Sequence, residues 1–157
     1  KIAPYKKTTN TYMDMSIFQT PKFQIEMVED AYAITLRKAV LNACINPITT
    51  ILLIENGKLI SNKQAFQLMH SLFLEMQTAF PEISSMLTFE DVKALCEKTS
   101  SNKSSMLQDR LNHRQSEIEP IVGELLNLAA GREKQLPLLR TLYQLVLAID
   151  EKGEQHE

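Results

Sequence analysis

Glycine is scarce in this chain, with four residues in 157, at positions 57, 123, 131 and 153. That scarcity leaves no GxGxxG fingerprint and no P-loop, and neither GxSxG nor HExxH occurs. The chain by itself therefore carries no phosphate cradle and no nucleophile–base pair of familiar spacing. The two cysteines, Cys44 and Cys96, form no CxxC and no disulfide framework. Lone thiols of this kind point to a reducing, cytoplasmic setting, and Cys44 sits in an apolar run as a small hydrophobe. His70, His113 and His156 have no metal-ligand spacing, so no metal is expected.

Excess charge of either sign is also lacking. Seventeen Lys and Arg stand against nineteen Asp and Glu, a net charge of −2. No electrostatic footprint for nucleic acid or an anionic membrane results. The longest apolar run, residues 39–54, holds two Asn, two Thr and a Pro and is too short and polar to span a bilayer. No charged start followed by a clean apolar core marks a signal peptide. What remains is an ordinary globular composition, 44% apolar and 23% charged, long enough for one domain with a real core. The chain opens on Lys1, and residues 1–20 are polar and weakly patterned. They read as a connecting segment cut from a longer protein, leaving 21–157 as the domain.

Strict alternation is confined to "KFQIEM" at 22–27, and the rest has helical period. A first helix is expected over about 28–45, interrupted at Asn46–Pro47. Asn46 would cap a second helix starting at Pro47 and stopping near Asn56–Gly57. Ser61 or Asn62 would cap a third that stops before Pro81. Thr88 begins a fourth, and Asn102 caps a fifth through "KSSMLQDRLN". Ser116 with Glu119 forms a capping box for a sixth, closed by Gly131, and Pro137 opens a seventh. The expected fold class is all-α.

Three polar groups stand out against this apolar background. Lys38, Asn42 and Asn46 follow one another at intervals of four in "LRKAVLNACINPITTILLIENGKL". On a continuous helix they form one slanted stripe within about 80° of arc. Three donors on a lysine and the paired donor and acceptor of each amide could hold a small polyoxygenated anion and protonate it. On pattern alone, a solvated Lys38 and a capping Asn46 are the commoner account of the same residues, since charged side chains usually face water. In "SNKSSMLQD", Ser104 and Ser105 fall at a helix start, where unpaired N–H groups favour an anion, although Ser and Asn are common at helix starts without one. In "RQSEIE", Glu117 complements a helix dipole, and Asn56 in "ENG" suits a turn. Met69, Met76 and Met86 read as core filler.

Taken in order, "KAVLNACINPITTILLIENGKL", "NKSSMLQD" and "RQSEIEPIVGELL" resemble the C-terminal domain of ketopantoate reductases. The intervals Asn46 to Asn56 and Ser105 to Glu117 match, and the helical order follows that family over about 20–150. The resemblance implies an all-α, multi-helix domain of the 6-phosphogluconate dehydrogenase C-terminal-like type, without the family's N-terminal Rossmann domain. It implies reduction of a 2-keto acid, ketopantoate, with NADPH held mainly by that absent domain. It assigns Lys38 as the general acid, and Asn42, Asn46, Asn56, Asn102 and Ser105 as substrate-binding positions. Glu117 becomes the acid that contacts the cofactor. A homodimer through the helical domain is a further expectation. Alternatives are a reductase of another branched 2-keto acid and a non-enzymatic helical dimerisation module. The chain departs from the family pattern at Leu36, often Trp, and at His113, commonly Gly. It departs again at Ser116 and Glu119 within T-E-I-D, and at Leu138–Leu139, where P-x-N is lost after Pro137.

Overall fold

A computed structural model describes residues 31–154, with side chains described as far as Glu151. The expected connecting segment and the candidate strand at 22–27 lie outside the described residues. The chain divides between Leu36 and Arg37 into two units, and Lys38 with every other candidate residue belongs to the second. Among the described residues all regular structure is helical, so the fold is all-α. In order it comprises α1 (Ala31–Leu52), α2 (Lys58–Ser61), α3 (Lys63–Ala79), a 3₁₀ turn (Pro81–Ser85) and α4 (Phe89–Lys98). Then follow α5 (Ser105–Leu111), a π-helical turn (Glu119–Gly123), α6 (Glu124–Gly131) and α7 (Pro137–Glu154). No helix among these is long and apolar enough to cross a membrane.

Several helix starts follow directly from local chemistry. Asn62 caps α3, its side-chain oxygen accepting from Gln64 N at 3.0 Å and Ala65 N at 3.1 Å. Thr88 and Asp91 form a reciprocal capping box at α4. Pro137 begins α7, whose orphan N–H groups at Leu138 and Leu139 donate to the Glu75 carboxylate of α3 at 2.8 and 2.9 Å. The core lies along α3, where Met69, Leu72, Phe73 and Met76 are buried and Cys96 of α4 packs its sulfur 4.0 Å from that of Met69. His70 is a packing residue, its ring 4.5 Å from that of Phe89.

Four expectations are corrected. The interruption at Asn46–Pro47 does not occur: α1 runs unbroken through Pro47 to Leu52. A proline in a helix interior removes one backbone hydrogen bond and costs about 3 kcal/mol. Residues 43–50 are all buried, however, and a break there would strand more backbone polar groups without water. Asn102 does not cap α5. Ser104 does, its hydroxyl accepting from Leu107 N at 3.2 Å.

Ser116 and Glu119 form no capping box, because both side chains are taken by α7. The Ser116 hydroxyl donates to Asp150 at 2.6 Å, and Glu119 accepts from the Tyr143 hydroxyl. Finally, α6 does close at Gly131 as expected, but α1 stops at Leu52, short of Asn56–Gly57, and no glycine supplies the left-handed turn at these helix ends. α1, α5 and α6 each stop at a residue with left-handed backbone, namely Leu53 (φ 57°), His113 (φ 52°) and Glu133 (φ 56°). Each stop is a Schellman turn: Ile54 N to Thr49 O, Arg114 N to Asp109 O, and Lys134 N to Ala129 O, at 3.1, 2.9 and 2.9 Å. Gly57 serves a different purpose, since a Cβ there would lie 2.7 Å from that of Ser100.

Candidate active site

Because α1 is continuous, Lys38, Asn42 and Asn46 do share one stripe, about 12 Å long. The stripe is graded. Lys38 is exposed, Asn42 is half-buried, and Asn46 is only 5% exposed. A flexible cation thus stands in water at one end, and an amide is fixed in the interior at the other.

Past Asn46 the stripe continues into Thr49 and Thr50, both fully buried. The Thr49 hydroxyl lies 3.0 Å from the carbonyls of both Ile45 and Asn46, and 2.8 Å from the hydroxyl of Ser104. One step along the chain from Ser104 is Ser105, the first residue of α5 and exposed. A second tie holds the same two helices together. Thr50 belongs to the last turn of α1, whose carbonyls lack intrahelical partners, and its carbonyl accepts from the Arg110 guanidinium of α5. The structure therefore places the Ser104–Ser105 segment against the buried end of the stripe. Sequence reading missed Thr49 and its bond to Ser104. The available signal was two adjacent hydroxyls at the end of a polar stripe in an apolar run.

Asn56 and Asn102 form a second pair, on neighbouring loops. Asn56 N donates to Asn102 O at 3.0 Å, and Gly57 N donates to Ser100 O at 3.0 Å. The Asn56 amide donates to Thr99 Oγ1 at 2.9 Å, and Thr99 in turn donates to Leu95 O at 2.7 Å. Asn56 is buried, and its Oδ1 has no hydrogen-bond partner among the described residues. Leaving a buried acceptor unpaired costs about 1–3 kcal/mol, a cost often retained where a ligand supplies the donor. Asn102 contributes its backbone to this pair while its side chain is exposed.

A groove of about 370 Å³ borders the loops, lined by Leu53, Ile54, Glu55, Lys58, Lys103, Leu107 and Leu111. A larger cavity, about 600 Å³, lies at the junction of α6 and α7, and neither hollow is lined by a candidate residue.

Glu117 stands exposed on the segment entering the π-helical turn, next to Ser116, whose anchoring to Asp150 fixes the local backbone. None of the contacts described joins Glu117 to the α1 stripe. The motif's Arg114 pairs with Asp109 at 2.9 Å. The thiols take no part: burial pushes Cys44 far above the ordinary thiol range and Cys96 up to about 11. Among the described residues no three His, Cys, Asp or Glu side chains gather as a metal site.

Residues 30–150 match the family profile described as "Ketopantoate reductase PanE/ApbA C terminal". The chain belongs to the ketopantoate reductase family. Within that family it is similar to the 2-dehydropantoate 2-reductase of Listeria innocua, with 34% identity over 156 residues, 99% of this chain and 50% of the relative. The crystal structure of the probable 2-dehydropantoate 2-reductase from Bacillus subtilis superposes with a TM-score of 0.73 at 32% identity, covering 83% of this chain and 45% of that one. A dimeric ketopantoate reductase from Staphylococcus aureus shares the fold, with a TM-score of 0.64 at 20% identity, covering 83% and 48%. The chain spans about half the length of the curated ketopantoate reductases it matches, and the fold is that of the family's C-terminal domain.

Proposed function

We propose that this chain is the substrate side of an NADPH-dependent ketopantoate reductase, with Lys38 as general acid. The observation that carries the reading is the graded stripe on α1. As the keto carbon is reduced, negative charge grows on its oxygen. An ammonium positioned there stabilises that charge and then transfers its proton, converting the 2-keto acid to a 2-hydroxy acid. Lys38 is the one cation on the stripe and reaches from its solvent end. Asn42 and Asn46 orient the substrate's oxygens with both donors and acceptors. Ser105, held near the buried end, donates to the carboxylate, while Asn56 and Asn102 complete the substrate contacts from their paired loops.

The chemistry NADPH supplies when bound is a hydride for the keto carbon. On this chain, the exposed carboxylate of Glu117, on a backbone pinned at Ser116, suits contact with cofactor hydroxyls. Pairing of two helical domains as a homodimer fits the dimeric state named for the S. aureus relative. Cytoplasmic residence fits the two free thiols.

The test is NADPH oxidation with ketopantoate by the full-length protein. General acid catalysis contributes about 10²–10⁴ in rate, so Lys38→Ala is expected to lose kcat by that order. An undiminished kcat removes Lys38 from the chemistry.

A further inference from the structure

The buried hydroxyl pair Thr49–Ser104 performs no step in the reaction above, yet it lies between two groups that do. Thr49 is 0% exposed and Ser104 6%. Their hydrogen bonds can be ordered in only one way that uses every donor. Leu107 N–H donates to the Ser104 oxygen, the Ser104 hydroxyl donates to Thr49, and the Thr49 hydroxyl donates to the carbonyls of Asn46 and Ile45. The chain of bonds starts inside α5 at Leu107, passes through Ser104, the neighbour of Ser105, and ends on the main chain of Asn46. It spans 55 residues of sequence.

We infer that Thr49 is a positioning residue that, through Ser104, fixes the distance between the Ser105 hydroxyl and the Asn46 amide and so sets affinity for the keto acid. The inference rests on the proposed reductase reading. Without the bond, Ser105 remains present but its placement relative to Asn46 must be settled at the moment of binding, at the expense of affinity. Proton donation and hydride acceptance occur elsewhere on the substrate, so the rate of the bound complex is little affected.

The experiment uses the full-length protein and steady-state kinetics with ketopantoate and NADPH. Thr49→Val keeps the shape and removes the hydroxyl. It is expected to raise KM for the keto acid about tenfold, the loss of one buried hydrogen bond, with kcat within about twofold and KM for NADPH unchanged. Thr49→Ser restores the hydroxyl and the wild-type KM. Ser104→Gly removes the bond from the other side, and glycine is well tolerated at a helix N-cap. The same KM shift there supports the inference even if Thr49→Val does not fold. The deciding arm is the double variant with Ser105→Ala. Action through Ser105 makes Thr49→Val add nothing further to KM, whereas a merely structural role gives multiplying effects. An unchanged KM in Ser104→Gly or Thr49→Val, or multiplying effects, overturns the inference and leaves the reductase reading intact. A wild type that does not oxidise NADPH with ketopantoate overturns both.

Discussion

Replacing Glu133 by glycine should stabilise this domain. Glu133 ends α6 in the left-handed region at φ 56°, and its N–H donates to Ala130 O at 3.0 Å. A residue with a Cβ loses about 1–2 kcal/mol in that conformation. Glycine escapes the clash but loses about 0.5–1 kcal/mol more chain entropy on folding. The difference favours glycine by about 0.5–1 kcal/mol. Glu133 also puts a negative charge at the negative end of a helix, which glycine removes. Glu133→Ala is the necessary control: it removes the charge but keeps the Cβ. Urea unfolding of the chain and both variants, compared at the midpoint with unchanged slope, measures each part separately. Glu133→Gly is expected to exceed Glu133→Ala by about 0.5–1 kcal/mol, a further ~1–4 °C in Tm. Equal stabilities for the two variants would refute the backbone argument.

Two other perturbations address the helix starts. Glu75→Ala strips two backbone donors of α7 of a charged acceptor, so the domain should lose about 2–3 kcal/mol in urea unfolding, with Glu75→Gln between it and wild type. Asp91 accepts from the backbone N–H and hydroxyl of Thr88, and those bonds hold its carboxyl below the ordinary aspartate value. A depressed folded-state pKa means stability that is whole above pH about 4 and lost as pH falls through the folded value. The stability gap between wild type and Asp91→Asn should therefore be full at neutral pH and close below pH about 4. A gap that is constant with pH would rule out the carboxylate as its source.

Much of this was readable in the sequence where one residue acts on its immediate neighbours. Asn62, Thr88 and Pro137 start helices because their effects are local, and the Lys38–Asn42–Asn46 spacing needs only the helical repeat. The failures share a cause, which is a partner far along the chain. Ser116 and Glu119 have capping-box spacing, but Asp150 and Tyr143, 34 and 24 residues away, hold them instead. Asn46–Pro47 reads as a helix boundary until the burial of the whole 43–50 segment is known. The end expected at Asn56–Gly57 lies earlier, at Leu52, and the left-handed turns after α1, α5 and α6 fall on Leu53, His113 and Glu133, which no glycine marks. The position of His113 gives the family's usual glycine there a physical reason: the backbone turns left-handed at that point. Thr49 and Ser104 were invisible as a pair because 55 residues separate them.

The grading of the α1 stripe has a consequence for turnover. A proton donor sunk in the interior must be recharged through a relay of buried groups, and each cycle then waits on that wire. In the proposed role Lys38 stands at the exposed end of this domain's stripe, so within this domain the spent amine needs no relay of buried groups to take its next proton. The deep end, at Asn46, takes no part in that proton exchange. Supply of the proton and recognition of the substrate are thus separated along one helix.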